Sequence, residues 1–87
     1  MVIHFRPSAL GHGIEHERSR HVVEHCSRPL YPASGDDGLV LFLGPDARGV
    51  PLEVVAVERN DGGLVVIHAM RMRPGYAAAH AEEMRCR

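Results

Sequence analysis

Two β-prone runs, Leu52–Glu58 and Leu64–Met72, are separated by little more than Asn60-Asp61-Gly62-Gly63. Residues that accept positive φ, set between β-branched runs, leave no length for a crossover, so the runs must fold back on each other as an antiparallel hairpin. Turn residues recur upstream at intervals of about ten, a spacing typical of hairpin-linked strands. Ser34-Gly35-Asp36-Asp37-Gly38 and Gly44-Pro45-Asp46-Ala47-Arg48-Gly49 therefore isolate Leu39–Leu43 as a further short strand. The expectation is an antiparallel β-meander of three to five strands, the larger number if Val2–Phe5 and Leu30–Ala33 add edges.

Both runs are apolar on successive positions, which places them centrally in the sheet with cover on each side. Val2–Phe5 is stopped by Pro7, and Ser8 is a candidate N-cap for a brief turn ending at Gly11 or Gly13. A longer helix is expected over Glu15–Cys26. Glu15 and Glu17 suit the positive end of its dipole, Arg20, His21, His25 and Arg28 suit the negative end, and Pro29 stops it. After Pro74-Gly75, the Ala-, Glu-, Met- and Arg-rich segment Tyr76–Arg85 reads as a closing C-terminal helix. The fold class is α+β, with a short N-terminal strand and helices leading into the meander. A chain of 87 residues buries about 60–65% of its unfolded surface, enough for one core, so residues 1–87 form a single domain without an interdomain cleft.

The formal charge is −1, with Arg as the sole Lys/Arg cation. Residues 29–61 hold two Arg against six acids, whereas residues 62–87 hold four Arg against two Glu, so any nucleic-acid contact must use a local patch. The opening Met1-Val2-Ile3-His4-Phe5-Arg6-Pro7 lacks the apolar stretch of a signal peptide, and later apolar stretches are broken by Glu53, Arg59 and His68. A cytoplasmic protein with no membrane segment is expected. Cys26 and Cys86 lack metal or redox spacing and read as reduced thiols.

Seven His residues raise the question of metal. His12/His16 and His21/His25 have the i, i+4 spacing that can offer two imidazoles to an ion, and Glu17 precedes His21 by the same interval. With no HExxH, no Cys pair and no third ligand at diagnostic spacing, they read as a solvated helix face, and no metal or cofactor is assigned. His68 interrupts an apolar strand. It is either a hydrogen-bonded structural residue or a proton-transfer group. In a regular strand Leu64, Val66, His68, Met70 and Met72 share one face, and Val65, Ile67, Ala69, Arg71 and Arg73 the other, so His68 and Arg71 point apart unless a bulge intervenes near Met70 or the strand end. Arg71 and Arg73, projecting from one face, can grip phosphates in bidentate fashion, and Tyr76 nearby can stack on a base or pass a proton.

Three segments carry a resemblance: Gly11-His12-Gly13-Ile14-Glu15, Leu52-Glu53-Val54-Val55-Ala56-Val57, and Val66-Ile67-His68-Ala69-Met70-Arg71-Met72-Arg73-Pro74-Gly75-Tyr76. In order and length the chain resembles the RelE-like toxins of type II toxin–antitoxin systems, in particular their BrnT-like branch. The resemblance implies a metal-independent endoribonuclease that cuts mRNA, free or on the ribosome, through attack by the 2′-OH. A cognate antitoxin would neutralise it, in a homodimer or a toxin–antitoxin hetero-oligomer. On that mapping Arg71 and Arg73 stabilise phosphate, His68 or Tyr76 transfers protons, and His12 joins Arg71 and Arg73 in RNA binding. The alternative is a non-catalytic protein-binding module of the same fold, in which Asp36, Asp37, Asp46, Glu53 and Glu58 face a basic partner.

Overall fold

The computed structural model describes residues 2–26, 29–31 and 38–74. Four strands, β1 (Ile3–Phe5), β2 (Leu39–Pro45), β3 (Pro51–Glu58) and β4 (Leu64–Arg71), form one sheet in the order β1-β4-β3-β2. Among the described residues one α-helix, α1 (His16–His25), lies against the sheet, and a 3-10 turn (Pro7–Leu10) follows β1. The architecture is α+β. None of the described helices is long and apolar enough to cross a membrane.

β2, β3 and β4 are the meander that the turn residues predict, with Leu39 opposite Val57 in one pairing and Glu58 opposite Leu64 in the next. β3 and β4 are central, as their doubly apolar runs require. The wholly antiparallel expectation needs correction, because β1 runs parallel to β4, pairing Ile3 with Leu64, His4 with Val65 and Phe5 with Val66. No tight turn joins β1 to β4, so nothing local fixes its direction, and it adds to β4 at the edge that β3 leaves open. Leu30–Ala33 forms no regular strand in its described part, which is a single bridge from Leu30 to Leu41. Ser8 does not cap the turn; its hydroxyl donates to the Ile67 carbonyl at 2.7 Å. The closing helix expected over Tyr76–Arg85 lies outside the described residues.

α1 begins one residue later than Glu15, which stands as an N-cap without a side-chain hydrogen bond. Its Val22 and Val23, with Ile14 just before it, meet Leu52, Val54 and Ala56 of β3, Val40 and Phe42 of β2, and Leu64, Val66 and Ala69 of β4. Alternation along β3 sends Leu52, Val54 and Ala56 toward the helix and turns Glu53, Val55 and Val57 to the other face.

β4 departs from that alternation. Ala56 pairs with Val66 but Val55 pairs with His68, so Ile67 is an extra residue with no partner on β3. The bulge resets the pleat. His68 and Met70 join the face of Val55 and Glu53, while Ala69 and Arg71 fall opposite Val54 and Leu52 on the helix side. The interruption sits where β1 ends, and there the Arg6 N–H donates to the Val66 carbonyl and Ser8 to that of Ile67.

The β2–β3 connection is organised by Asp46, which is buried beneath α1's flank. One carboxylate oxygen accepts from the main-chain N–H of Arg48 and Val50 at 2.8 and 2.9 Å, and the other takes the Arg18 guanidinium at 2.8 Å. Burial by itself raises the pKa of this carboxyl, but the bonds from Val50, Arg18 and Arg48 and the Arg18 charge outweigh it and hold it at about 2. A depressed acid contributes stability that is complete above its unfolded-state value of 3.8 and is lost as pH falls toward 2. In urea unfolding followed from pH 6 to pH 2, Asp46→Asn is expected to lose less stability across this window than wild type; equal losses would remove Asp46 from the account. Leu52, wholly buried, gives a second expectation: Leu52→Ala lowers unfolding free energy by about 3 kcal/mol without altering the sheet's circular dichroism.

Candidate functional site

The bulge decides where chemistry can sit. By turning His68 to the face opposite α1, it places the imidazole half-buried beside Val55, next to a loop that approaches from the far edge of β4. That loop is Gly11-His12-Gly13. Gly13 has φ of +74°, a left-handed conformation that side chains oppose, and the turn it makes returns Ile14 to the core while leaving His12 outside. The two rings meet edge to face, with centroids 4.9 Å apart and planes at 78°.

Glu53 completes the cluster. It lies opposite Met70, diagonally across from His68, and is wholly buried. Its carboxylate is held by one residue through three groups: Arg73 donates its main-chain N–H to Oε2 at 3.1 Å, its Nε–H to Oε1 at 3.0 Å, and Nη2 lies 2.9 Å from Oε1. The Arg73 side chain nevertheless remains 58% exposed, so a buried anion anchors a cation that still reaches the surface. Burial first, then the charges of His12 and Arg73, push the His68 imidazole below its ordinary pKa, while Glu53 opposes them. His68 is accordingly a neutral imidazole near pH 7, able to accept a proton.

Of the residues singled out in the sequence, the structure brings together His12, His68 and Arg73, and adds Glu53. Arg71 and Arg73 do not project as a pair: Arg71 is exposed opposite Leu52 on the helix side, whereas Arg73 turns back to Glu53. The bulge at Ile67 also leaves His68 and Arg71 on opposite faces, since an odd separation follows it. Tyr76 lies outside the described residues.

The acidic surface suggested for a basic partner is not formed by its described members. Asp46 and Glu53 are buried and paired with Arg18 and Arg73, Glu58 alone among them is exposed, and Asp36 and Asp37 lie outside the described residues. The sequence did carry a signal for Glu53, the lone charge in the apolar stretch Leu52–Val57. The remaining helix histidines are otherwise engaged. His16 stacks on Phe5 at 4.2 Å, and His21 stacks on His25, whose Nδ1 lies 2.8 Å from the His21 carbonyl. No group of three or more potential metal ligands occurs among the described residues.

Comparison of the chain with protein-family models, curated proteins and solved structures gives no match. Removing the cation leaves the buried Glu53 charge uncompensated, so Arg73→Ala is expected to destabilise the fold by about 3 kcal/mol in denaturant unfolding. Arg71→Ala, at an exposed strand end, should stay within about 0.5 kcal/mol of wild type. Equal effects would show that the Glu53–Arg73 pair does not hold this end of the sheet.

Proposed function

We propose that this chain is the toxin of a type II toxin–antitoxin system, a cytoplasmic, metal-independent endoribonuclease neutralised by a cognate antitoxin. The observation that carries this reading is the His12–His68 pair, two imidazoles from distant parts of the chain in edge-to-face contact at 4.9 Å, with the charge of the Glu53-anchored Arg73 acting on His68. The resemblance of the Gly11–Glu15 and Val66–Tyr76 segments to the RelE-like toxins supports the same assignment.

RNA brings its own nucleophile, so the protein has to move two protons and stabilise charge on phosphorus. His68, held neutral near pH 7, accepts the proton of the 2′-OH as the O2′–P bond forms. His12, more exposed, donates a proton to the 5′ oxygen as the P–O5′ bond breaks, leaving a 2′,3′-cyclic phosphate and a 5′-hydroxyl. Arg73 acts as a fixed cation for the developing negative charge, its position set before substrate arrives. Arg71, on the other side of the strand end, is suited to RNA backbone beyond the cleaved step rather than to the reacting phosphate.

The test is cleavage of an RNA oligonucleotide by purified protein in EDTA, with and without ribosomes, with analysis of the new ends. Cyclic phosphate ends are expected from wild type, with losses of about 10²–10⁴-fold in folded His12→Ala and His68→Ala proteins. The rate should fall as acid protonates His68, with a midpoint below that of an ordinary histidine. Absence of cleavage under both conditions would overturn the enzyme assignment in favour of a binding module. Undiminished cleavage by the double histidine variant would overturn the assignment of the pair.

A further inference from the structure

Glu53 is an expensive residue to place where it is. A carboxylate in a central strand of the sheet, wholly removed from solvent, replaces an apolar side chain that would have served the fold at least as well. Its bonds give the reason for its presence. They converge on a single residue just beyond β4, and they include both the main chain and the guanidinium of Arg73. Holding the N–H fixes where the backbone leaves the sheet, and holding Nε and Nη2 fixes the direction of the side chain. An arginine that is 58% exposed would otherwise sample many rotamers.

We propose that Glu53 is a positioning residue: it anchors Arg73 by main chain and side chain together, so that the guanidinium stands at a set place beside the His12–His68 pair. In its kinetic consequence the proposal rests on the reading of that pair as the proton-transfer groups. Its electrostatic consequence does not depend on RNA at all. The charged or titratable groups acting on His68 are His12 from the loop before α1, Glu53 from β3 and Arg73 after β4. Glu53 raises the proton affinity of His68 while Arg73 and His12 lower it, so the two members of the anchored pair act on His68 in opposite senses.

The experiment follows the His68 ring protons by NMR against pH in wild type, Glu53→Gln and Glu53→Asp, together with solvent exchange of the Arg73 Nε–H. Glu53→Gln keeps the side chain's shape and removes its charge, and Arg73 Nε–H exchange is expected to accelerate. Glu53→Asp keeps the charge but withdraws it by one methylene; the His68 midpoint should stay near wild type while Arg73 Nε–H exchange accelerates. In RNA cleavage, Glu53→Asp should lower kcat about tenfold to a hundredfold with little change in KM. Arg73 Nε–H exchange unchanged from wild type in folded Glu53→Gln and Glu53→Asp proteins would overturn the proposal, since the guanidinium would then be held by something other than this carboxylate. Should these variants not fold, wild type decides: slow Arg73 Nε–H exchange supports the anchor, and exchange at the rate of an exposed arginine overturns it. Wild-type protein inert toward RNA but showing slow Arg73 Nε–H exchange that the Glu53 variants accelerate would overturn the enzyme assignment while upholding the anchor.

Discussion

The bulge at Ile67 is the constraint on which the rest of this molecule turns. One unpaired residue in β4 reverses the facing of all that follows it in the strand. With regular alternation His68 would point with Leu64 and Val66 into the core beneath α1, where an imidazole would need a buried hydrogen-bond partner. Ala69 would then face outward, leaving Val54 without its small neighbour. The bulge instead gives the core Ala69 and gives His68 the opposite face, with Glu53 and within reach of the loop holding His12. It sits at the end of β1, where Ser8 takes up the Ile67 carbonyl, so the irregularity is tied down from outside the sheet.

Two buried carboxylates then account for how a small sheet keeps one of its ends in order. Asp46 draws Arg18 of the helix and the Arg48–Val50 main chain around one point, which fastens α1 to the β2–β3 turn. Glu53, three residues into β3 at this same end of the sheet, does the same with Arg73 where the chain leaves β4. In both, the acid is buried and the arginine partly exposed, so desolvation falls on one member of the pair and hydrogen bonds satisfy it. These acids contribute to the chain's charge of −1 without forming an acidic surface.

Features governed by local chemistry were legible in the sequence. Asn60-Asp61-Gly62-Gly63 does form the β3–β4 turn, with Gly62 at φ of +87° and the Asp61 side chain accepting from the Gly63 N–H at 2.9 Å. Helix α1 lies within a residue of its expected bounds, because Glu17 and His25 occupy the ends that the dipole favours. The direction of β1 was hidden because no short loop joins it to its neighbour. The bulge was hidden because Ile67 is as apolar as the residues around it and no glycine marks the spot. Once the bulge is missed, the facing of His68 follows wrongly, and its closeness to His12 and Glu53 is lost with it. The Arg71–Arg73 pair failed for a related reason, since equal facing two residues apart holds only while the strand continues, and β4 ends at Arg71.

This arrangement also changes what a near-neutral charge implies. Affinity for RNA built on many phosphate contacts needs a cationic surface, and each contact adds to the salt dependence of binding. Here Arg18, Arg59 and Arg73 are paired with Asp46, Asp61 and Glu53, so a count of arginines overstates the charge on offer. A proton-transfer site depends less on net charge than on two groups of suitable proton affinity held in register, and a protonated imidazole supplies positive charge only when and where it is needed. With seven histidines in 87 residues, and two of them brought together by a bulge and a glycine turn, the chain has the means for that kind of chemistry without a basic surface. Under the proposed function the consequence is a division of labour in which Glu53 contributes placement, Arg73 a fixed charge, and His12 and His68 protons, while affinity has to come from few contacts or from a larger assembly that presents the RNA.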